Sequence, residues 1–134
     1  MLVICLFDPA LISSISFGLS YTNYTYSNLT IPEPTSHDAS FSLSVDVTVS
    51  NDGDLAGSEV VQLYITIPNN GLTTPKLQLR GFAKAKDIKP GESKAVTIHL
   101  DKYAVSYWDT PRDLWTARAG KYLVSIGKSS DNIV

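Results

Sequence analysis

Ten residues from Phe41 to Ser50 alternate apolar and polar side chains without a break: Phe41, Leu43, Val45, Val47 and Val49 against Ser42, Ser44, Asp46, Thr48 and Ser50. Strand side chains point alternately to opposite faces, so this segment folds as a strand with one apolar and one wet face. A helix with the same residues would scatter its apolar groups around the axis. The pattern therefore demands an antiparallel sheet covered on one side.

Turn signals divide the chain beyond Ser50. Asn51-Asp52-Gly53-Asp54 suits a change of direction, because these residues tolerate unusual backbone angles and bond locally. The next run sets Glu59, Val61, Leu63, Ile65 and Ile67 against Val60, Gln62, Tyr64 and Thr66, and Pro68-Asn69-Asn70-Gly71 closes it. Leu77 to Lys84 reads as a weaker strand. Lys89-Pro90-Gly91-Glu92 has proline then glycine at the central positions, as a type II turn requires. Val96, Ile98 and Leu100 share a face, opposite Thr97 and His99.

Beyond Asp101 the pattern turns irregular around Tyr107-Trp108-Asp109, with a turn at Thr110-Pro111-Arg112-Asp113. A last strand after Gly120 carries Tyr122, Val124 and Ile126. Upstream, Tyr24 to Ile31 reads as a first strand and Pro32 to His37 as a linker-like bend. About seven antiparallel strands with no helix predict an all-β sandwich. Residues 1–16 form an irregular leader, 17–38 the lead-in, first strand and linker, and 39–134 the rest of the sandwich.

At 134 residues, with 43% apolar and 18% charged residues, the chain has the composition of one globular domain. The net charge of −2 and the scattered lysines and arginines give no footprint for nucleic acid or an anionic membrane. One cysteine, Cys5, excludes an internal disulfide and a cysteine-built zinc site. Leu2 to Phe7 lacks the basic start and the length of a signal peptide. A displaced start codon or a truncated gene accounts for it better.

Catalytic constellations fail one by one. His37 and His99 lie far apart, one in a linker and one on a strand's polar face, and read as surface histidines. Cys5 has no partner histidine nearby, and no G-x-S-x-G segment exists. Gly127-Lys128-Ser129 lacks the earlier glycine and following helix of a phosphate loop, so it reads as a polar turn after the final strand. Glycoside hydrolysis usually takes two carboxylates. Asp101, Asp109 and Asp113 all sit at turns, where aspartate caps backbone N–H groups. No cofactor or metal is expected.

Two features remain. Tyr103, Tyr107, Trp108 and Trp115 cluster in sequence and either fill an end of the sandwich or an interface, or offer faces for sugar stacking. Asn23-Tyr24-Thr25 and Asn28-Leu29-Thr30 are acceptor sequons for N-glycosylation at Asn23 and Asn28. They point to a secreted eukaryotic protein.

The motifs, in order, resemble those of one family. Phe17-Gly18-Leu19-Ser20-Tyr21-Thr22 resembles the F-G-x-G-L-S-Y-T segment that leads into the last domain of family-three glycoside hydrolases. Val47-Thr48-Val49-Ser50-Asn51-Asp52-Gly53 and Ala56-Gly57-Ser58-Glu59-Val60-Val61-Gln62-Leu63-Tyr64 are similar to that domain's V-x-N-x-G turn and A-G-x-E-V-V-Q-L-Y strand. Leu79-Arg80-Gly81-Phe82, Lys89-Pro90-Gly91-Glu92-Ser93, Tyr107-Trp108-Asp109, Trp115 and Ala119-Gly120-Lys121-Tyr122 complete the set. Residues 1–16 have no counterpart, and the Phe17-Gly18-Leu19 segment is shorter than the family pattern.

The resemblance implies a fibronectin type III-like sandwich that packs on the catalytic body of a secreted β-glucosidase-type enzyme. The catalytic carboxylates of such enzymes lie in upstream domains absent here, so no catalytic residue carries over. Xylosidases share the module. Arg80, Phe82, Tyr107, Trp108 and Trp115 become the candidates for docking or sugar stacking. The expected partners are the family's catalytic domains, with a polysaccharide bound through exposed aromatics as the alternative. A third reading, that this chain is itself a β-glucosidase, conflicts with the missing carboxylate pair.

Overall fold

The alternation in the sequence becomes the two inner faces of a sandwich. The computed structural model describes residues 19–32, 41–68, 71 and 75–133. Cys5, Phe17, Gly18 and His37 lie outside them, as does most of the expected linker. The strands are β1 (Tyr24–Thr30), β2 (Ser42–Asn51), β3 (Gly57–Thr66), β4 (Gln78–Ile88), β5 (Ser93–Asp101), β6 (Ser106–Asp109), β7 (Leu114–Ala117), β8 (Leu123–Ser129) and β9 (Asn132–Ile133). One sheet has the order β1-β2-β5 and the other β4-β3-β8-β9, all antiparallel, while β6 and β7 form a separate hairpin. Seven strands in two sheets make the expected sandwich.

Val45, Val47 and Val49 of β2 and Ile98 and Leu100 of β5 face Val61, Leu63 and Ile65 of β3 and Ile126 of β8, all buried. The wet face of β2 and β5 pairs its polar groups across the strands. Ser44 Oγ lies 2.9 Å from His99 Nδ1, Thr97 Oγ1 donates to Asp46 Oδ1 at 2.5 Å, and Ser50 and Ser93 share a 2.7 Å hydroxyl contact. His99 is the exposed surface histidine that the sequence implied.

The turns at Lys89-Pro90-Gly91-Glu92 and Asn51-Asp52-Gly53-Asp54 form as expected. Glu92 N–H donates to Lys89 O at 2.9 Å, with Gly91 at φ +73°, the geometry that a glycine supplies without strain. The Glu92 carboxylate accepts from the Lys89 N–H at 2.8 Å. That bond holds its pKa below the usual carboxylate range. Beside this turn, and bonded to it through Asn51 N–H to Glu92 O and Gly91 N–H to Asn51 O, Asn51 is fully buried. Its Oδ1 accepts from Thr22 Oγ1 and Gly53 N–H, and its Nδ2 donates to the carbonyls of Leu55 and Ile88. One side chain thereby ties the lead-in, the β2–β3 turn and the end of β4.

At Gly81, β4 packs tightly against β5 of the facing sheet. A Cβ there would stand 2.6 Å from Ile98 Cγ2 and 3.1 Å from Leu100 Cδ2. Gly81→Ala should cost about 1–3 kcal/mol by overpacking, read as a lower denaturant midpoint at unchanged m-value.

Three expectations are corrected. The stretch around Tyr107-Trp108-Asp109 is regular: a 3₁₀ turn, Lys102–Val105, leads into the β6–β7 hairpin. Its alternation is weak because neither face enters the main core. Gly127-Lys128-Ser129 is not a turn but the end of β8, and Gly127 lies so close to the backbone of β9 that an added Cβ would collide with Asn132 O. The strand expected over Leu77 to Lys84 runs on to Ile88. All three aspartates sit at strand ends or turns, but only Asp101 is seen to cap, its Oδ1 accepting from Tyr103 and Ala104 N–H. Asp109 ends β6 with its carboxylate 3.7 Å from Arg112 Nε, and Asp113 takes φ +53° in the hairpin loop.

Candidate functional site

The outer faces of the two sheets differ in chemistry. On the β1-β2-β5 side, serine, threonine, aspartate and histidine satisfy one another. On the β4-β3-β8-β9 side, the register sets Phe82 opposite Gln62, Leu79 opposite Tyr64, and Leu123 opposite Thr66. Directly opposed residues share a face. Gln62 and Tyr64 are buried there, with Tyr64 O–H bonded to Gln62 Oε1 and Gln62 Nε2 to Lys128 O. Around this polar pair stand Phe82 at 70% exposure, Leu123 at 61%, Leu79 at 43% and Val60 at 37%. This face is apolar and open.

Arg80 joins that face to the hairpin. It lies where the β3–β4 register shifts between Gly81 and Leu79, the mark of a bulge that re-aims a side chain. Its Nη1 donates to Tyr103 O at 3.3 Å and its Nη2 to Ser106 O at 3.2 Å, with a further bond to Gln78 Oε1. The Arg80 Nε is buried without a partner among the described residues. The guanidinium is a clamp on the root of β6 rather than a free surface charge.

Trp108 and Trp115 face each other across the hairpin, with ring centroids 5.7 Å apart and planes at 76°. Tyr103 meets Trp115 edge-on at 5.5 Å. All three rings are about half exposed. Edge-to-face packing is favourable in itself, but it leaves no coplanar pair of faces for successive sugar rings. Tyr107 points to the other side of the hairpin and packs on the core rim. Arg118 sits 5.2 Å over its ring and donates from Nε to its hydroxyl at 3.3 Å. The structure thus ties Arg80 to the root of the hairpin that carries Trp108 and Trp115, sets Phe82 on the outer face of β4, and turns Tyr107 to the other side of the hairpin.

An apolar groove of about 840 Å³ runs under the hairpin, lined among others by Phe41, Leu43, Val105, Trp115, Tyr122 and Val124. Tyr122 closes it. Its hydroxyl accepts from Arg118 N–H at 3.0 Å and bonds the carbonyls of Arg118 and Val105 at 2.8 and 3.2 Å. A tyrosine at the start of a strand that bonds backbone a few residues upstream is a known corner device of these sandwiches. Burial raises its phenol pKa. Sequence reasoning assigned Tyr122 only to a strand face, although its position next to Gly120 and β8 was the available signal. Among the described residues, no group of three or more His, Cys, Asp or Glu converges as a metal site. Among the same residues, no helix is long and apolar enough to cross a membrane.

Comparison with known proteins agrees with this geometry. Residues 59–130 match the fibronectin type III-like domain family. The chain is 41% identical over 117 residues to probable β-glucosidase H of Neosartorya fischeri, covering 87% of this chain and 14% of that protein. Thermostable β-glucosidase B of Acetivibrio thermocellus is 40% identical over 117 residues, again 87% of this chain and 15% of the relative. The crystal structure of β-glucosidase D2-BGL from Chaetomella raphigera superposes with a TM-score of 0.81 at 35% identity, over 88% of this chain and 18% of that one. The chain therefore spans about one-seventh of the curated relatives it matches. It belongs to the fibronectin type III-like domain family, in the form carried by family-three β-glucosidases.

Proposed function

We propose that this domain is a non-catalytic accessory module that docks on and stabilises the catalytic domains of a β-glucosidase-type glycoside hydrolase. The parent activity is the release of terminal β-D-glucosyl residues in extracellular carbohydrate breakdown. The observation that carries the reading is the contrast between the sheets: one outer face self-satisfied and polar, the other open and apolar. Apolar patches rimmed by polar groups mark contact surfaces. A large aromatic such as Phe82 or Trp115 is the residue type that supplies most of the binding energy at such contacts.

The test uses the catalytic part of a family-three β-glucosidase that lacks its own fibronectin type III-like domain. Purified chain should bind it and raise its melting temperature, while Phe82→Ser and Trp115→Ser should each weaken binding by roughly tenfold or more. A sugar-stacking role predicts instead retention on cellulose or β-glucan that Trp115→Ser abolishes, and the crossed ring planes disfavour it. The chain alone should show no turnover of an aryl β-glucoside. Binding unaffected by both substitutions would refute the docking face.

A further inference from the structure

We infer that Asn28 is an N-glycan attachment site, on an open edge of the sandwich where a bulky group meets no neighbouring strand. Among the described residues β1 pairs only with β2, so its other edge is free. Between the pairs Ser27–Thr48 and Thr30–Asp46, β1 carries one residue more than β2. Asn28 lies in that bulge at φ +52°. Ser27, Asn28, Leu29 and Thr30 are all exposed, so the whole acceptor triplet stands clear of the core. Thr30 Oγ1 bonds the Asn28 carbonyl at 3.4 Å, a local contact within the triplet itself.

The second sequon is placed differently. Asn23 is exposed, but its neighbours Thr22 and Tyr24 are both buried, and its carbonyl accepts from Asp52 N–H at 2.9 Å. The backbone of that triplet is pressed against the β2–β3 turn, close to Gly53. Among the described residues, the Asn28 triplet pairs with β2 only through Thr30 and Asp46, with Asn28 and Leu29 left in the bulge.

The chemistry is a group transfer. The Asn28 side-chain amide nitrogen forms a bond to the anomeric carbon of an oligosaccharide carried on a lipid-linked pyrophosphate. The bond from that carbon to the pyrophosphate oxygen breaks, the lipid pyrophosphate leaves, and the amide gives up one proton. Attachment takes place on the emerging chain, so the folded structure has only to accommodate the product. The exposed bulge does.

A left-handed backbone also suits asparagine without any sugar, since its short polar side chain tolerates that region. Two substitutions separate the roles. Asn28→Gly keeps the left-handed conformation and removes the acceptor nitrogen. Thr30→Ala keeps Asn28 and removes only the hydroxyl that the acceptor motif requires.

The chain is translated behind a cleavable secretion signal with microsomes that supply the lipid-linked oligosaccharide, then trimmed with an endoglycosidase and mapped by mass spectrometry. Signal-cleaved wild type and Asn23→Gln should carry a sugar remnant on Asn28. Asn28→Gly and Thr30→Ala should lose it completely. A bare Asn28 in signal-cleaved wild-type chain would overturn the assignment, whatever is found at Asn23.

Discussion

Asn51→Ala lowers the unfolding free energy by about 3 kcal/mol, more than any exposed substitution in this domain. The alanine removes a side chain with both polar atoms fully used and leaves behind Thr22 Oγ1, Gly53 N–H and the carbonyls of Leu55 and Ile88. A buried polar group left unpaired costs about 1–3 kcal/mol, and water can reach some of these four but not all. Chemical denaturation of wild type and variant at one temperature reads the difference.

Asn51→Asp sharpens the test through pH. The carboxylate would keep the acceptor side but face two carbonyl oxygens where Nδ2 now donates, so its folded-state pKa rises above the unfolded value. Below the unfolded carboxyl range both states are protonated and the electrostatic penalty vanishes. As pH rises through and beyond that range the unfolded chain ionises first, and the variant loses stability until the folded group also ionises. The gap to wild type should therefore widen from about pH 3 to about pH 7. A constant gap contradicts the bonding scheme at Asn51.

Leu63→Ala should cost about 2–5 kcal/mol, the range for a fully buried leucine whose site cannot collapse. Leu63 has no exposed surface, and it pairs with Gly81 on one side and Ile126 on the other. Gly81 offers no side chain to move into the space, so the cavity should stay open and the cost lie toward the upper end. Pairing the substitution with Gly81→Ala gives a further check. If the new methyl and the new void are neighbours, the double variant should be more stable than the sum of the two losses. Strict additivity would place them in separate packing environments.

The strands with one wet face were legible because period two survives wherever a sheet separates core from solvent. Val45 to Val49 and Val96 to Leu100 need nothing more. Asn51 was readable only as a turn residue, yet it continues the inward phase of Leu43, Val45, Val47 and Val49, and that phase is the signal of its burial. The outward residues of β3 could not be read this way. Gln62 and Tyr64 are buried by each other and by the Lys128 region of β8, a tertiary fact that no local pattern carries. The β6–β7 hairpin escaped because its faces are half-exposed on both sides, so apolar alternation has nothing to report. For the candidate site, residue type was legible and grouping was not. Trp108 and Tyr107 are adjacent in sequence, and the pleat alone sends them to opposite sides.

The docking face is tested most directly by hydroxyl-radical footprinting of the chain, free and bound to a β-glucosidase catalytic part that lacks this domain. Bound chain should show several-fold lower oxidation at Phe82, Leu79, Leu123, Trp108 and Trp115. His99, on the polar outer face, should react at the same rate in both states. Protection of His99 with undiminished oxidation of Phe82 and Trp115 would place the contact on the wrong sheet and contradict the account.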